Sequence, residues 1–379
     1  MSGAVTQRAR IQNLASTWKH FDFWLLGAVT LLVIFGITMI RSAVAGNIEL
    51  VDLNLVQRQV IFAVAGLMAM FVVAAIDYRL WASISRPLFV GTVVALTVLT
   101  IVGAALYGSA RWFDTGVILI QPSEIAKIVL ILVLADFFTR NQHNIQSLPY
   151  VFRSFLLAML IVVPILLQPN LSTSIVMIVL WFALLWASGL RLRHLLLFIA
   201  GGIVLPIAAF PFLVDYQQRR ILNFVFPDPN ARHGDIYNIQ QALISIGSGG
   251  LLGQGYGQGT QVQLRFLKVR WSDFIFSAMA HEFGFVGTLV VILILLFAIW
   301  RCLRAARLAS DTFGALICYG VATMITFQAI VNIGVNLNLM PATGLTLPFV
   351  SYGGSSLLST LIGIGLVESV ILRHRSLEF

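Results

Sequence analysis

Five ionisable side chains sit in or at the outer ends of long apolar runs: Glu124, Lys127, Asp273, His281 and Glu282. Such positions are functional candidates because charge is costly in a bilayer. Asp273, in Trp271-Ser272-Asp273-Phe274, opens an apolar run just after Arg265, Lys268 and Arg270. A carboxylate there suits a general base that faces an anionic substrate. The same residue also suits a helix start, where an acid complements the macrodipole. The helix terminus lowers its pKa and desolvation raises it. Glu124 and Lys127 lie three apart, on one helix face. They read either as a buried ion pair or as a lysine that reaches a phosphate while Glu124 orients it. Arg111 either shares that phosphate role or anchors a loop. At 100° per residue, Glu282 projects roughly 180° from Asp273 and about two and a half turns deeper, so the two are no carboxylate pair. His281 and Glu282 read as interhelical hydrogen-bonding groups. Asp273, Ser277, Ala280, Gly284 and Gly287 form a small or polar stripe, as expected where another helix packs closely.

The elements that must hold these residues are membrane helices. Of 379 residues, 59% are hydrophobic and 10% charged, with mean hydropathy +0.93. So large an apolar excess cannot be covered by polar surface in water, which excludes the soluble enzyme classes. Apolar runs near spanning length occupy 22–40, 60–76, 88–107, 117–138, 151–167, 171–190, 195–214, 274–300, 313–335 and 349–372. The fold class is therefore all-α: a polytopic membrane protein of about ten transmembrane helices, a single integral membrane domain over 1–379. The polar start, followed by a span-length run without a cleavage site, reads as a retained first helix. Cys302 and Cys318 imply neither a disulfide framework nor a cysteine metal site.

Fourteen of the 24 basic residues fall in the segments that are inside when the N-terminus is inside. Six of the other ten lie in one long loop, which is translocated largely regardless of charge. The topology is N-in, C-in, with a cytoplasmic tail at 1–21 and a large extracellular loop at 215–273. The net charge of +9 thus gathers, where topology does not use it, at the outer face. It suits an anionic substrate at the membrane surface and does not call for nucleic acid.

The fourth run is irregular: its clean stretch, 125–138, is too short to span, and Gln121–Lys127 supplies the rest. Interrupted segments of this kind mark binding sites in membrane proteins. Pro122 suits a first helical turn. The extracellular loop carries glycines at 247, 249, 250, 253, 255, 257 and 259, yet lacks Gly-Lys-Ser/Thr and a preceding strand, so it supports no nucleotide site. A lipid-embedded substrate or ion-coupled transport remains.

Several motifs in order resemble the SEDS family (shape, elongation, division and sporulation). They are Gly108-Ser109-Ala110-Arg111-Trp112 with Gln121-Pro122-Ser123-Glu124-Ile125-Ala126-Lys127; Gly247–Gly255 with Gln263–Leu267 and Asp273–Phe276; and Pro348-Phe349-Val350-Ser351-Tyr352-Gly353-Gly354-Ser355-Ser356. The resemblance implies a SEDS-type fold and a peptidoglycan glycosyltransferase. Such an enzyme polymerises lipid II into glycan strands at the outer face of the bacterial cytoplasmic membrane. It implies Asp273 as the base for the acceptor hydroxyl, inversion at the donor's anomeric carbon, and undecaprenyl diphosphate as leaving group. Arg111 and Lys127, with Arg265, Lys268 and Arg270, would stabilise or position the diphosphate, and Glu124 would position Lys127. Trp112, Pro122, Ser123, Pro348, Ser351, Gly353, Gly354 and Ser355 are motif positions. A divalent cation suits a diphosphate, although no ligand set is visible.

Two departures stand out. Asn170 occupies a position that is Asp in many members, and His281 one that is commonly Glu. The stretch 111–127 and the short tails favour the RodA branch, for cell elongation, over FtsW or SpoVE types for division or sporulation. The implied partner is a class B penicillin-binding protein, with MreC and MreD in the RodA case. A lipid II flippase and a non-catalytic scaffold are the competing classes.

Overall fold

The computed structural model describes residues 18, 20–45, 54–107, 112–114, 119–144, 147–190, 198, 201–202, 208, 210–228 and 234–374. Nine helices match nine of the ten expected runs: α1 (Phe23–Val44), α2 (Leu55–Ala75), α3 (Tyr78–Tyr107), α4 (Pro122–Arg140), α5 (Leu148–Leu167), α6 (Leu171–Ala187), α10 (Ile275–Leu308), α11 (Thr312–Asn336) and α12 (Gly354–Leu372). The expected run 195–214 falls mostly outside the described residues. Within the extracellular loop lie α7 (Asp215–Val225), α8 (Gly234–Gly249) and the single-turn α9 (Thr260–Gln263). Before α4, a two-residue antiparallel ladder pairs Phe113–Asp114 with Leu119–Ile120, a small addition to the all-helical expectation.

Among the described residues, seven helices are long and apolar enough to cross a membrane. The outer helices α1, α2, α3 and α5 expose large apolar side chains, among them Leu31, Ile61, Ile101 and Leu167, as a hydrocarbon environment allows. By contrast, α4 and α12 are buried almost all round. A helix buried on every side is held by packing, with no polar face to spare. Around α4 stand α3, α5, α6, α11 and α12, which explains how it carries Glu124, Lys127 and Asp136 away from lipid. Close helix approach depends on small residues. A Cβ at Gly365 would come within 2.6 Å of the Met70 carbonyl, where α12 crosses α2.

The largest irregularity is in α10, whose 34 residues break helical geometry at Gly284 (φ 65°, ψ −165°). Arg301 marks its cytoplasmic end, and residues 284–301 span about 25 Å of helix. The break therefore lies inside a hydrocarbon core about 30 Å thick. Open backbone is tolerated at that depth only when protein satisfies it. The extracellular loop does so. Phe285 N–H donates to the Gly250 carbonyl (2.9 Å) and Val286 N–H to that of Leu251 (3.1 Å). In return, the carbonyls of His281 and Glu282 accept from Gln254 and Gly255 (both 3.0 Å). These are the groups that would have bonded to one another in an unbroken helix.

Gly284 occupies a region essentially reserved for glycine, and a Cβ there would sit 2.3 Å from Gly253 N. Gly284→Ala is expected to destabilise the protein by at least about 2 kcal/mol. Thermal unfolding in detergent should show the loss, with faster proteolysis across residues 250–260. Unchanged stability and cleavage would refute the inserted-loop account.

Candidate active site

A cavity of about 570 Å³ opens where α2, α4 and α6 begin, closed on its other sides by the segment before α10 and the loop 343–354. Its wall includes Asp273, Glu124, Arg58, Arg220, Trp112 and Asn170.

Asp273 lies just before α10, outside the spanning segment, and is held mainly through its backbone. Its carbonyl accepts from the side-chain amides of Asn332 (3.1 Å) and Asn336 (2.9 Å), both on α11. Asn336 Oδ1 in turn accepts from Ser277 N–H (3.1 Å) and Ser277 Oγ (2.6 Å). The carboxylate keeps one local contact, Ser272 Oγ to Oδ1 at 2.9 Å. Opposite Oδ2 stands Gly344, whose φ of 77° favours glycine; a Cβ there would lie 3.7 Å from that oxygen. Burial pushes the Asp273 carboxyl above the usual carboxylate range, opposed by the Ser272 hydroxyl and the Arg220 charge. A raised pKa at an outer-face carboxylate is what general-base duty requires.

The strap 348–355 supports this arrangement from below. Pro348 is buried. Ser351 Oγ donates to the Ser272 carbonyl (2.8 Å) and accepts from Leu347 N–H (2.8 Å). Gly353 N–H donates to Gln59 Oε1 (3.3 Å), and Gly354 begins α12 against the Phe62 ring. Ser355 Oγ accepts from Gln121 N–H (3.1 Å), which fixes the start of α4. Pro122 is the first residue of that helix, and Ser123 is buried beside it. One motif thus clamps both carboxylate-bearing segments.

Glu124 Oε2 accepts from Lys127 Nζ at 2.8 Å and from Ser359 Oγ at 3.4 Å. Lys127 is fully buried and does not line the cavity. It stands behind Glu124, as the ion-pair alternative requires. Arg265, Lys268 and Arg270 are not in the cavity wall either. Arg265 is exposed, Lys268 lies 5.9 Å over the Tyr237 ring, and Arg270 is buried with Nε donating to the Ala43 carbonyl at 2.7 Å. Arg270 therefore ties the extracellular loop to the end of α1. Arg111 lies outside the described residues.

The cations that do reach the cavity are Arg58, in the first turn of α2, and Arg220, on α7 and 3.2 Å from Asp235. The sequence singles out neither as a site residue: Arg58 enters only the topology count, and Arg220 is one of the six basic residues of the long loop. Arg58 carried the stronger signal, an arginine at the outward end of an apolar run. His281 and Glu282 act as linkers. Gln261 N–H donates to His281 Nε2 (3.2 Å), which leaves Nδ1 to carry the proton toward the Ser245 carbonyl (3.2 Å). Ser42 Oγ, on α1, donates to Glu282 Oε1 at 2.5 Å. No group of three or more His, Cys, Asp or Glu that could hold a metal occurs among the described residues. The cavity's own acids offer a cation Asp273 and a Glu124 already matched to lysine.

Residues 23–376 match the cell cycle protein family of FtsW, RodA and SpoVE. The chain belongs to this SEDS family. It is 35% identical to the probable peptidoglycan glycosyltransferase FtsW of Geobacter metallireducens, over 94% of this chain and 96% of that one. It is 34% identical to the peptidoglycan glycosyltransferase MrdB of Escherichia coli K12, over 97% and 98%. A solved peptidoglycan synthase complex that coordinates polymerization and crosslinking contains a chain of the same fold. The TM-score is 0.78 and the identity 31%, with 93% of this chain and 97% of that chain covered. This SEDS protein is thus a multi-pass protein of the bacterial inner membrane. Its near-equal identity to FtsW and MrdB favours neither branch.

Removing one member of a buried ion pair strands the other charge. Lys127→Met is expected to cost roughly 3–5 kcal/mol, and the Glu124→Gln/Lys127→Met double substitution much less. Thermal denaturation of the three proteins in one detergent decides it. A double variant no more stable than Lys127→Met would reject the pairing.

Proposed function

We propose that this peptidoglycan glycosyltransferase polymerises lipid II by direct inverting transfer in the outer cavity, with Asp273 as base. One observation carries the reading: a carboxylate anchored through its backbone faces a cavity that also holds two arginines, at the outer end of a membrane helix. The acceptor sugar's hydroxyl gives its proton to the Asp273 carboxylate as its oxygen attacks the donor's anomeric carbon. The anomeric carbon–oxygen bond to the diphosphate breaks at the same centre, and undecaprenyl diphosphate leaves with the electron pair. Configuration inverts, no covalent enzyme intermediate forms, and no second carboxylate is needed. The departing charge calls for fixed cations. Arg58 and Arg220 line the cavity and suit that role, whereas Lys127 offsets the charge of Glu124 beside it. Likeness to a synthase complex that couples polymerization with crosslinking supports a class B penicillin-binding protein as partner.

The decisive experiment supplies lipid II to the protein purified with its transpeptidase and resolves glycan polymer on a gel. Asp273→Asn is expected to lower the rate by about 10²–10⁴-fold, the usual weight of a general base. Glu282→Ala, if folded, should retain polymer. Polymer persisting at the wild-type rate in Asp273→Asn would remove the base.

The direction of the Asp273 shift sets a pH dependence. The base works only when deprotonated, so activity is lost as pH falls through its raised pKa. The acid limb of kcat/KM should therefore lie above the ordinary carboxylate value of about 3.9. Ser272→Ala removes a hydrogen bond that lowers the pKa, so it should move that limb to higher pH. A limb that stays in place or moves down would exclude this proton acceptor.

A further inference from the structure

At the opposite face, a second cavity of about 290 Å³ lies between the start of α1 and the ends of α10 and α12. Its wall brings together Arg301, Arg304, His20, His374, Asp22 and Trp24. None of these takes part in the outer site.

Asp22 caps α1 by accepting from the N–H groups of Trp24 and Leu25 (both 3.1 Å). Its other carboxylate oxygen accepts from Arg301 Nε at 2.6 Å, so this acid and this guanidinium form a partly buried pair. Glu368 lies behind them, hydrogen-bonded by Asp22 N–H at 3.1 Å, and is not part of the wall. Arg304 is exposed and has no carboxylate partner among the described residues; it lies 6.0 Å over the Trp300 ring. The two imidazoles meet edge to face at 5.1 Å. His374 Nδ1 donates to the Ile371 carbonyl, which leaves Nε2 as its remaining polar atom. The wall thus holds two guanidiniums and two imidazoles against one acid, which is already engaged.

The same wall carries strongly exposed aromatics: Trp24 is 73% and Phe23 68% accessible. Leu308 adds an apolar edge. An anion site for a soluble ion needs no such edge, whereas aromatic rings at a helix end are the mark of the membrane interface. Under the N-in topology this is the cytoplasmic leaflet. Basic pockets between spanning helices on that side bind anionic lipid headgroups.

We propose that this cavity is a binding site for an anionic phospholipid of the inner leaflet. The phosphodiester lies between Arg304, His374 and Arg301, and the acyl chains pass out over Trp24 and Phe23. A headgroup with its own amine is disfavoured, because that second cation would meet Arg304 and find the wall's one acid, Asp22, already engaged by Arg301. The lipid would join the first helix to α10 and α12, three segments that meet here at their ends.

The test uses the full chain, delipidated in detergent, with phosphatidylglycerol, phosphatidylethanolamine or inorganic phosphate titrated separately. Thermal stability and native mass spectra are the readouts. Phosphatidylglycerol alone is expected to raise the melting temperature and survive as a bound adduct. Charge-assisted contacts to phosphate are among the strong ones, so Arg304→Gln and His374→Gln should each weaken it on the order of tenfold. Arg304 is exposed, so Arg304→Gln should keep the parent's lipid-free melting temperature, whereas His374 also holds the Ile371 carbonyl and His374→Gln is compared with its own lipid-free value. Equal stabilisation by phosphatidylethanolamine, an equal effect of inorganic phosphate, or full phosphatidylglycerol binding by both variants would each overturn the proposal.

Discussion

Hydrocarbon offers no partner for a peptide group, and that constraint governs how α10 meets the extracellular loop. At Gly284 the helix gives up two internal hydrogen bonds, and the chain from Gly250 to Gly255 supplies all four replacements. An unpaired backbone group at that depth costs several kcal/mol, so helix and loop stand or fall as one unit. Two glycines of the loop follow from the same requirement. A Cβ at Gly249 would lie 2.0 Å from the Ala280 carbonyl, and one at Gly253 2.2 Å from that of Glu282. Backbone can reach backbone only where side chains are missing. Gly249 and Gly253 therefore serve the docking of the loop onto a broken membrane helix.

From that junction the order extends outward to Asp273. His281 receives α9 on one ring nitrogen and α8 on the other, so the loop is held by a side chain as well as by main chain. Asn332 and Asn336 hold the Asp273 carbonyl, while Ser351 holds that of Ser272. Each neutral bond is worth only about 1 kcal/mol net. Their value lies in placement: a residue fixed by its carbonyl keeps its carboxylate for chemistry. A salt bridge would have fixed the carboxylate equally well and lowered its basicity.

Much of this was legible in the sequence, because hydropathy and charge asymmetry are local. Nine apolar runs are helices, although α3 begins at Tyr78, well before its expected run at 88–107, and α10 continues past its expected end to Leu308; Asp273 stands at the outer helix end where its neighbours put it. What was illegible depends on pairing between distant segments. Arg270 looked like a substrate cation beside Asp273, but three positions of sequence separation say nothing of direction, and its guanidinium turns to the end of α1. Arg58 and Arg220 are remote from Asp273 in sequence and become its neighbours only when α2 and α7 pack around one cavity. Lys127 has helical periodicity toward Glu124 and nothing to indicate which of the pair faces open space. The break in α10 is hidden for a related reason: Gly284 reads as one more small residue on a packing stripe until the loop segment that displaces its ladder is known.

The charge of the cavity follows from these placements and bears on Asn170. This residue caps α6 by accepting from Thr173 N–H at 3.3 Å, and it lines the cavity. A cap needs an acceptor oxygen, and an amide supplies one as well as a carboxylate does. Fold therefore places no demand for an acid at this point. For the proposed diphosphate-binding role of the cavity, the neutral cap has an electrostatic consequence. Glu124 is matched by Lys127, so Asp273 is left as the wall's one carboxylate without a paired lysine or arginine, facing Arg58 and Arg220. An acid at residue 170 would bring a further negative charge toward a diphosphate that already carries its own. With Asn170, the negative charges of the wall stay at Glu124, which Lys127 matches, and at Asp273, the carboxylate that the proposed proton transfer uses.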